Sequence, residues 1–383
     1  MIMARVAFTA GLAIASSHSA HAAVWTNAAQ GSVRYGYDDN TRMSVQTSPT
    51  VNYASTEFTD ELSLQTESLS WTLDPRVVLM RYDHDSELNR TETYVTSSLL
   101  HQSDTGQSSL QFNWTQDTTL TSEFGSTSLA GVNKRHQASA LTMSHGQQWT
   151  ERFSTQSMLY ATANHYMKAQ NTGLVNYNYG RAQLDLQYSL TRHSQLSLDF
   201  SIGKLQVPNQ PEYGKVNQSA TLTYTRTFAE RWSAKLSAGP SQVKSDFSKE
   251  SGTVYEFNIS RKAEISSLQL KLTRDITPTG QGTLSRRQQL SLTAYRDLTE
   301  RINLSLTGSA IQSDTLLLSR NLNFYGVRYN DININLGWRW TPTVTLSITA
   351  GHADQRQQNV DQLAKRNYAS LNLFWSGLTH TLH

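Results

Sequence analysis

Two short groupings carry residue types that chemistry needs. Tyr82-Asp83-His84-Asp85 sets two carboxylates and an imidazole side by side, the donor types of a cation site, and His193-Ser194 with Asp185 or Asp199 offers a base, a hydroxyl and an orienting acid. The first lacks the ligand spacing of a defined metal and lies in a polar stretch between apolar runs, so it reads as a solvated loop and no metal is expected. The second has neither a glycine-flanked nucleophile elbow nor a triad order, and His193 falls in a turn, so it reads as a surface histidine. Gly-rich phosphate loops and paired carboxylates in a cleft pattern are missing too. No catalytic residue and no cofactor is assigned, and an enzyme acting on outer-membrane lipid or glycan is the most distant of three readings.

Chemistry of another kind is spread along rows. Leu196, Leu198 and Phe200 alternate with Gln195, Ser197 and Asp199; Leu304 and Leu306 alternate with Asn303, Ser305 and Thr307; Val344, Leu346 and Ile348 alternate with Thr345 and Ser347. A period of two with amides, hydroxyls and a few charges opposite an apolar row describes strands with one greasy and one wet face. In a soluble sandwich the apolar row would meet a core; in a closed barrel it meets lipid, and the wet row lines a channel. On that reading the lumen wall includes Arg34, Arg181, Asp185, Asp199, Lys235, Lys271, Arg328, Asp331 and Arg339 among neutral donors and acceptors such as Gln183, Gln187, Gln195, Gln269, Asn333 and Asn335. Such a wall suits a hydrated glycan that must slide, and scattered Arg and Lys could guide acidic sugars.

The strands are placed by a repeated phrase. Leu298-Thr299-Glu300-Arg301 has counterparts in Trp149-Thr150-Glu151-Arg152, Leu190-Thr191-Arg192-His193 and Phe228-Ala229-Glu230-Arg231, with weaker copies at Ile259-Ser260-Arg261-Lys262 and Trp340-Thr341-Pro342-Thr343. The spacing is about 40 residues, the length of a transmembrane β-hairpin with one tight turn and one longer loop. Rising strands are expected to start near Phe153, Gln195, Trp232, Ile265, Ile302 and Val344, with descending strands between them. The stretch from Ser44 to Thr59 is open between loop and strand, and Asp74-Pro75-Arg76 reads as a turn. The expectation is an all-β, antiparallel up-and-down transmembrane barrel of about 18 strands, or 16 if the early region is mostly loop.

Bulk properties fit this reading. The chain of 383 residues is 37% hydrophobic and 16% charged with a mean hydropathy of −0.50. Alternating strands average out in any hydropathy window, so a low value does not argue against a membrane. No cysteine is present, which excludes disulfides and thiolate chemistry, and the formal charge of +3 is too small to argue for nucleic acid. Residues 1–22 read as a cleaved signal peptide, with Arg5, an apolar centre from Val6 to Ala15 and the cleavage triplet Ala20-His21-Ala22, leaving 23–383 as one barrel in the Gram-negative outer membrane. Aromatics fall into two sets, Trp149, Phe228, Trp232, Tyr295, Trp338, Trp340, Phe374 and Trp375 near the tight turns, and Tyr37, Tyr82, Tyr166, Tyr177, Phe200, Tyr255 and Tyr329 near the loops; these are expected to form two interfacial girdles.

A resemblance rests on Tyr37-Asp38-Asp39-Asn40-Thr41-Arg42, on Gln116-Asp117-Thr118-Thr119-Leu120-Thr121-Ser122-Glu123 after Trp114, and on the turns at Leu298 and Phe228. In these residues the chain resembles the EpsL-like β-barrel outer-membrane proteins encoded with exopolysaccharide biosynthesis and PEP-CTERM/exosortase systems. The resemblance spans almost the whole mature chain and implies a role in moving a secreted exopolysaccharide across the outer membrane. Outer-membrane lipid surrounds such a barrel, and a periplasmic polysaccharide export protein and a co-polymerase are the protein partners implied. One departure concerns the end: where barrels usually finish on an aromatic residue, Phe374-Trp375 is followed by Ser376 to His383. Either a last strand over about 364–375 closes the barrel and a short tail follows, or that strand extends further. The expected function is passive export of exopolysaccharide through a polar lumen, with a general or substrate-selective diffusion porin as the alternative.

Overall fold

The computed structural model describes residues 23–45, 49–123, 132–208, 210, 214–229, 231–246, 248–316, 326–357, 363–377 and 380–382. The expected signal segment lies outside them. Among the described residues a single antiparallel sheet closes on itself. Its first half comprises β1 (Val24–Asp38), β2 (Val51–Gln65), β3 (Leu69–Tyr82), β4 (Arg90–Gln102), β5 (Gly106–Thr118), β6 (Arg135–Gln148), β7 (Phe153–Tyr166), β8 (Tyr177–Thr191) and β9 (Ser194–Gln206). The second half comprises β10 (Lys215–Phe228), β11 (Trp232–Ser245), β12 (Lys249–Lys262), β13 (Ser266–Pro278), β14 (Leu284–Asp297), β15 (Ile302–Leu316), β16 (Val327–Arg339), β17 (Val344–Gln357) and β18 (Leu363–Ser376). Each strand pairs with its neighbours in the chain, and β1 pairs with both β2 and β18, so the sheet closes into a ring. The wall therefore has eighteen strands.

Register carries one apolar row around the whole circle. Tyr35 lies opposite Ala54 and Leu371, Leu198 opposite Leu186 and Leu222, and Leu306 opposite Ala294 and Ile334. Leu236 and Ile348 are each 58% exposed and Leu371 is 54% exposed, values a packed sandwich core would not leave. The apolar face is thus the outside of the barrel, where lipid and not water is its solvent. Trp25, Trp71, Trp232, Trp338 and Trp375 share that outer parity at the tight-turn end, joined by Trp149 and Trp340 in the turns, and together they form one interfacial girdle. These features make the chain a multi-pass outer-membrane barrel.

The second girdle is thinner than expected. Tyr37, Phe200 and Tyr255 hold the outer parity, but Tyr82, Tyr166, Tyr177 and Tyr329 fall on the inner row, and the first three of these are buried there. At the other end Tyr295 and Phe374 also point inward by register. The pleat assigns a face by odd or even position, and nearness to a strand end says nothing about it.

In three of its copies the repeated phrase is one turn geometry. In Trp149-Arg152, Leu298-Arg301 and Trp340-Thr343, the amides of the first two residues both donate to the carbonyl of the residue after the phrase, at 3.0 and 3.2, 2.8 and 3.1, and 3.0 and 3.1 Å. The threonine at the second position accepts back: Thr150 Oγ1 from Phe153 N at 3.0 Å, Thr299 Oγ1 from Ile302 N at 3.0 Å, Thr341 Oγ1 from Val344 N at 3.0 Å. The hydroxyl satisfies a donor that the ladder cannot reach, which is why threonine recurs. The weak copy at Ile259–Lys262 belongs to β12, and its turn follows at 263–265.

Three further expectations are settled. The open stretch from Ser44 to Thr59 is strand in its second part, where β2 begins at Val51, while residues 46–48 lie outside the described residues. Asp74-Pro75-Arg76 is not a turn; it lies within β3. The β2–β3 ladder skips Asp60 and Glu61 opposite Asp74 and Pro75, so the missing proline donor is absorbed by a local gap while β4 stays paired to Pro75 through Val95. Finally, the last strand continues: β19 (His380–Leu382) pairs with Asn27 to Trp25 on the same side of β1 as β18. β19 therefore extends the pairing of the chain end along β1 beyond Ser376, and residues 378 and 379 lie outside the described residues.

Candidate functional site: the lumen and its mouth

The same parity locates the wet face. Arg34, Arg181, Asp185, Asp199, Lys235, Lys271, Asp331 and Arg339 fall on the inner row. Arg328 does not, and the expectation for it is corrected: it shares its parity with Ile332 and Ile334 and belongs to the outer row near the loops. A run of charged and amide residues from 328 to 335 hides which positions are odd.

Charges on the inner wall are mostly partnered within it. Glu256 receives Lys235 at 3.0 Å and Lys271 at 3.7 Å. Asp185 and Asp199 face each other across β8 and β9, but Gln187 donates to the first at 2.7 Å and Thr223 to the second at 2.9 Å. Asp331 accepts from Tyr368 at 3.1 Å, and Arg366 is held by Asp38 at 2.7 Å with Asp38 only 1% exposed. Arg76 pairs with Glu57 at 2.8 Å and Arg90 with Glu92 at 2.7 Å. What the wall offers to a solute is therefore chiefly hydroxyl and amide, with most charges already answered.

Sequence gave no sign of how the loop end is built. The β12–β13 ladder stops at Tyr255 opposite Arg274, yet β11–β12 continues to Lys249 and β13–β14 continues to Leu284. Past that point the wall is split between β12 and β13, and β13 and β14 bend inward while β14 stays paired with β15 as far as Leu284 opposite Leu316. Arg286 of β14 reaches Glu250 of β12 at 3.2 Å, skipping β13 altogether. Asp275 comes into the field of Arg181 on β8. The tip between β13 and β14, Thr279 to Thr283, ends against the β7–β8 loop, where Val175 N donates to Gly280 O at 2.9 Å. An apolar cluster holds it there: Leu284 and Leu316, 0 and 1% exposed, pack with Tyr166, Tyr177, Tyr179, Leu205 and Val243 from the inner wall. Each such leucine contributes roughly 1.5–3 kcal/mol of burial. Leu284 and Ile276 hold the outer parity by register and are nonetheless covered, because a strand that bends inward keeps its pattern and changes what covers it.

A second piece meets the tip. A single helical turn, Thr119–Ser122, follows β5; Leu120 packs with Val51, Tyr82 and Leu88 on one side, while Glu123 on the other accepts the Tyr166 hydroxyl. Next to it His136 bonds Asp117 at 2.8 Å and Asn164 at 3.1 Å and stacks on Tyr166 with centroids 4.8 Å apart. The mouth is thus narrowed by two inward segments that touch, since a Cβ added at Gly280 would lie 2.7 Å from Tyr166 Oη and 3.1 Å from Glu123 Oε1.

The groupings that could have done other chemistry are occupied in structure. Asp83 accepts from Asn52 N and Nδ2 at 2.9 and 2.8 Å, which holds its carboxyl below the usual range. Asp85 binds Arg42 at 2.8 Å, tying the β1–β2 loop to the β3–β4 loop. Burial pulls the Arg42 guanidinium down, and the bonds from Asp85 and Glu87 more than offset that, leaving it raised. Among the described residues no three His, Asp or Glu converge to hold a metal. Ser194 Oγ is within 2.7 Å of Thr191 Oγ1, and His193 lies in the exposed turn with its amide on Thr191 Oγ1 at 3.2 Å.

No protein-family profile matches the chain, and no curated protein sequence matches it. Solved structures do. OccAB4 of Acinetobacter baumannii superposes with a TM-score of 0.51 at 9% identity, over 95% of this chain and all of that one. OpdQ of Pseudomonas aeruginosa gives 0.48 at 11% identity over 94 and 98%. OpdK of Pseudomonas aeruginosa, solved with vanillate, gives 0.47 at 12% identity over 93 and 99%. At these identities the OccAB4 likeness speaks to the fold, a closed barrel of the same extent.

Proposed function

We propose that this barrel is a passive outer-membrane conduit for a hydrated glycan, an exopolysaccharide on its way out of the cell. The observation that carries the proposal is the state of the inner wall: most of its carboxylates and most of its cations are bound to each other or to amides and hydroxyls, so a polymer meets many weak hydrogen-bonding partners and few strong ones. A sliding chain needs that balance, because each segment must exchange water for wall contacts and then release them. Direction comes from synthesis behind it, and a periplasmic export protein with its co-polymerase would dock at the tight-turn end.

The narrowed mouth favours a second reading, a diffusion porin for small polar solutes. A bore reduced by the β13–β14 tip suits solutes or a single extended chain, and excludes a bundle. Deleting the gene and complementing it in trans separates the two. Loss of surface polymer with periplasmic accumulation or stalled synthesis supports the conduit. Unchanged polymer together with reduced small-solute uptake supports the porin and overturns the conduit.

A further inference from the structure

A cavity of about 330 Å³ opens in the inner wall where β1, β2 and β3 meet β16, β17 and β18. It lies on the side that the inward tip leaves open. Two of its walls are tyrosine rings laid flat over glycines. Tyr53 stands opposite Gly36, and a Cβ at Gly36 would fall 2.4 Å from the ring; Tyr368 stands opposite Gly351, where a Cβ would fall 2.2 Å from it. Only glycine leaves room for a ring on the wall itself; Arg366 Cζ lies over the Tyr368 ring, 5.0 Å from its centroid, so Tyr53 is the ring whose face is open to the lumen. Tyr53 is extended by Tyr82, with centroids 5.7 Å apart.

Three guanidinium groups line the same cavity, and they are not equivalent. Arg366 is bound to Asp38 and Arg90 to Glu92. Arg34, two residues below Gly36 on the same inner row, is exposed to the lumen and has no ion-pair or hydrogen-bond partner among the described residues. Amide and hydroxyl groups of Asn333, Thr349 and Ser370 complete the lining. A flat apolar face fits the C–H face of a pyranose ring, the neutral polar groups fit its hydroxyls, and one free guanidinium fits a single carboxylate in a bidentate manner.

We propose that this cavity is a subsite for one acidic sugar residue, a hexuronate within the glycan chain, with Arg34 on the carboxylate and Tyr53 as the stacking face beside the Arg366-covered ring of Tyr368. The proposal rests on the glycan-conduit reading and adds the chemistry of the sugar. One subsite with one unanswered charge is enough to select a repeat unit and too weak to arrest the polymer.

The test uses the full chain reconstituted in a planar bilayer at about 0.15 M salt, where a screening length of about 8 Å leaves a contact charge visible. The probes are an oligogalacturonate and a neutral malto-oligosaccharide of equal length, read as interruptions of single-channel current. The wild type is expected to bind the acidic chain at least tenfold more tightly. Arg34→Gln is expected to remove that preference, a loss of about tenfold, while interruptions by the neutral sugar persist. Gly36→Leu, which displaces the Tyr53 ring, is expected to weaken both sugars. Heat-modifiable gel mobility checks that each variant is folded. An acidic preference that survives Arg34→Gln, or equal binding of both sugars by the wild type, overturns the subsite and leaves the conduit standing. Ion conduction with no interruption by either sugar overturns the conduit and the subsite with it.

Discussion

Replacing Asp60 by leucine should stabilise this protein in a bilayer. Asp60 lies opposite Ala29 on the outer row, between Phe58 and Leu62, and its Oδ1 has no hydrogen-bond partner. Leu64, on the same row, pairs with Trp25 and Trp71 of the girdle. With a strand rise of about 3.3 Å and a tilt of about 45°, each residue climbs roughly 2.3 Å, which puts Asp60 roughly 9 Å above the tryptophans and inside the ~25 Å apolar band. A lipid-facing Lys or Arg at mid-depth costs about 2–4 kcal/mol, and an acid less, so removing this charge should return roughly 1–2 kcal/mol. Leucine adds several tenths more by its own transfer into hydrocarbon. The expected gain is about 2 kcal/mol for Asp60→Leu and about half of that for Asp60→Asn, which removes the charge and keeps the polarity. Urea unfolding of the purified barrel in phosphatidylcholine vesicles, followed by tryptophan fluorescence, measures it. An unchanged or reduced stability for Asp60→Leu would refute the reasoning, because the carboxylate would then be answered by something other than lipid.

Other expectations follow from the same geometry. A Cβ at Gly239 would sit 1.8 Å from the Ala220 carbonyl oxygen and 2.7 Å from Thr221 Cα, both backbone atoms, so Gly239→Ala should part β10 from β11 and abolish the heat-modifiable folded form; Gly31→Ala, whose nearest neighbours are at 3.7 and 3.8 Å, should be silent. Replacing 279–283 by two glycines removes the tip from the mouth, and single-channel conductance should at least double; an unchanged conductance would place the constriction elsewhere. The Asp83 carboxyl is depressed by Asn52, so the tie it makes between the β3–β4 loop and β2 is fully present above the ordinary carboxylate range and is lost as pH falls through the lowered folded value. Limited proteolysis of that loop should therefore rise only in strong acid, and Asp83→Asn should flatten the dependence.

How much of this was legible depended on whether a feature is local. The tight turns were, because Thr150, Thr299 and Thr341 do the same hydrogen bonding in the same short phrase, and the strand starts at Phe153, Ile302 and Val344 follow directly from them. β2 was not, because Asn52, Ala54 and Thr56 hold its outer row while Val51 and Tyr53 face in, reversing the usual contrast. Pro75 misled for a related reason: a proline signals a turn when its missing donor must be hidden by chain reversal, and here a gap opposite Asp60 and Glu61 hides it instead. By register eight of the nine candidate residues lie on the inner row and Arg328 on the outer one. The bent tip left no trace in the pattern, since nothing in Ile276, Leu284 or Leu316 tells lipid from a neighbouring loop.

That bend separates two quantities that a plain barrel couples. In a wall of fixed strand number, the clear width follows from strand count and shear, and changing it means adding or removing hairpins. Here the tip, Thr279 to Thr283, lies beyond the last rungs of its ladders, so residues inserted or lost there alter the bore without altering the circumference or any register. Descendants of this chain could drift from wide to narrow passage by a few codons in one turn, while the lipid-facing exterior stayed the same.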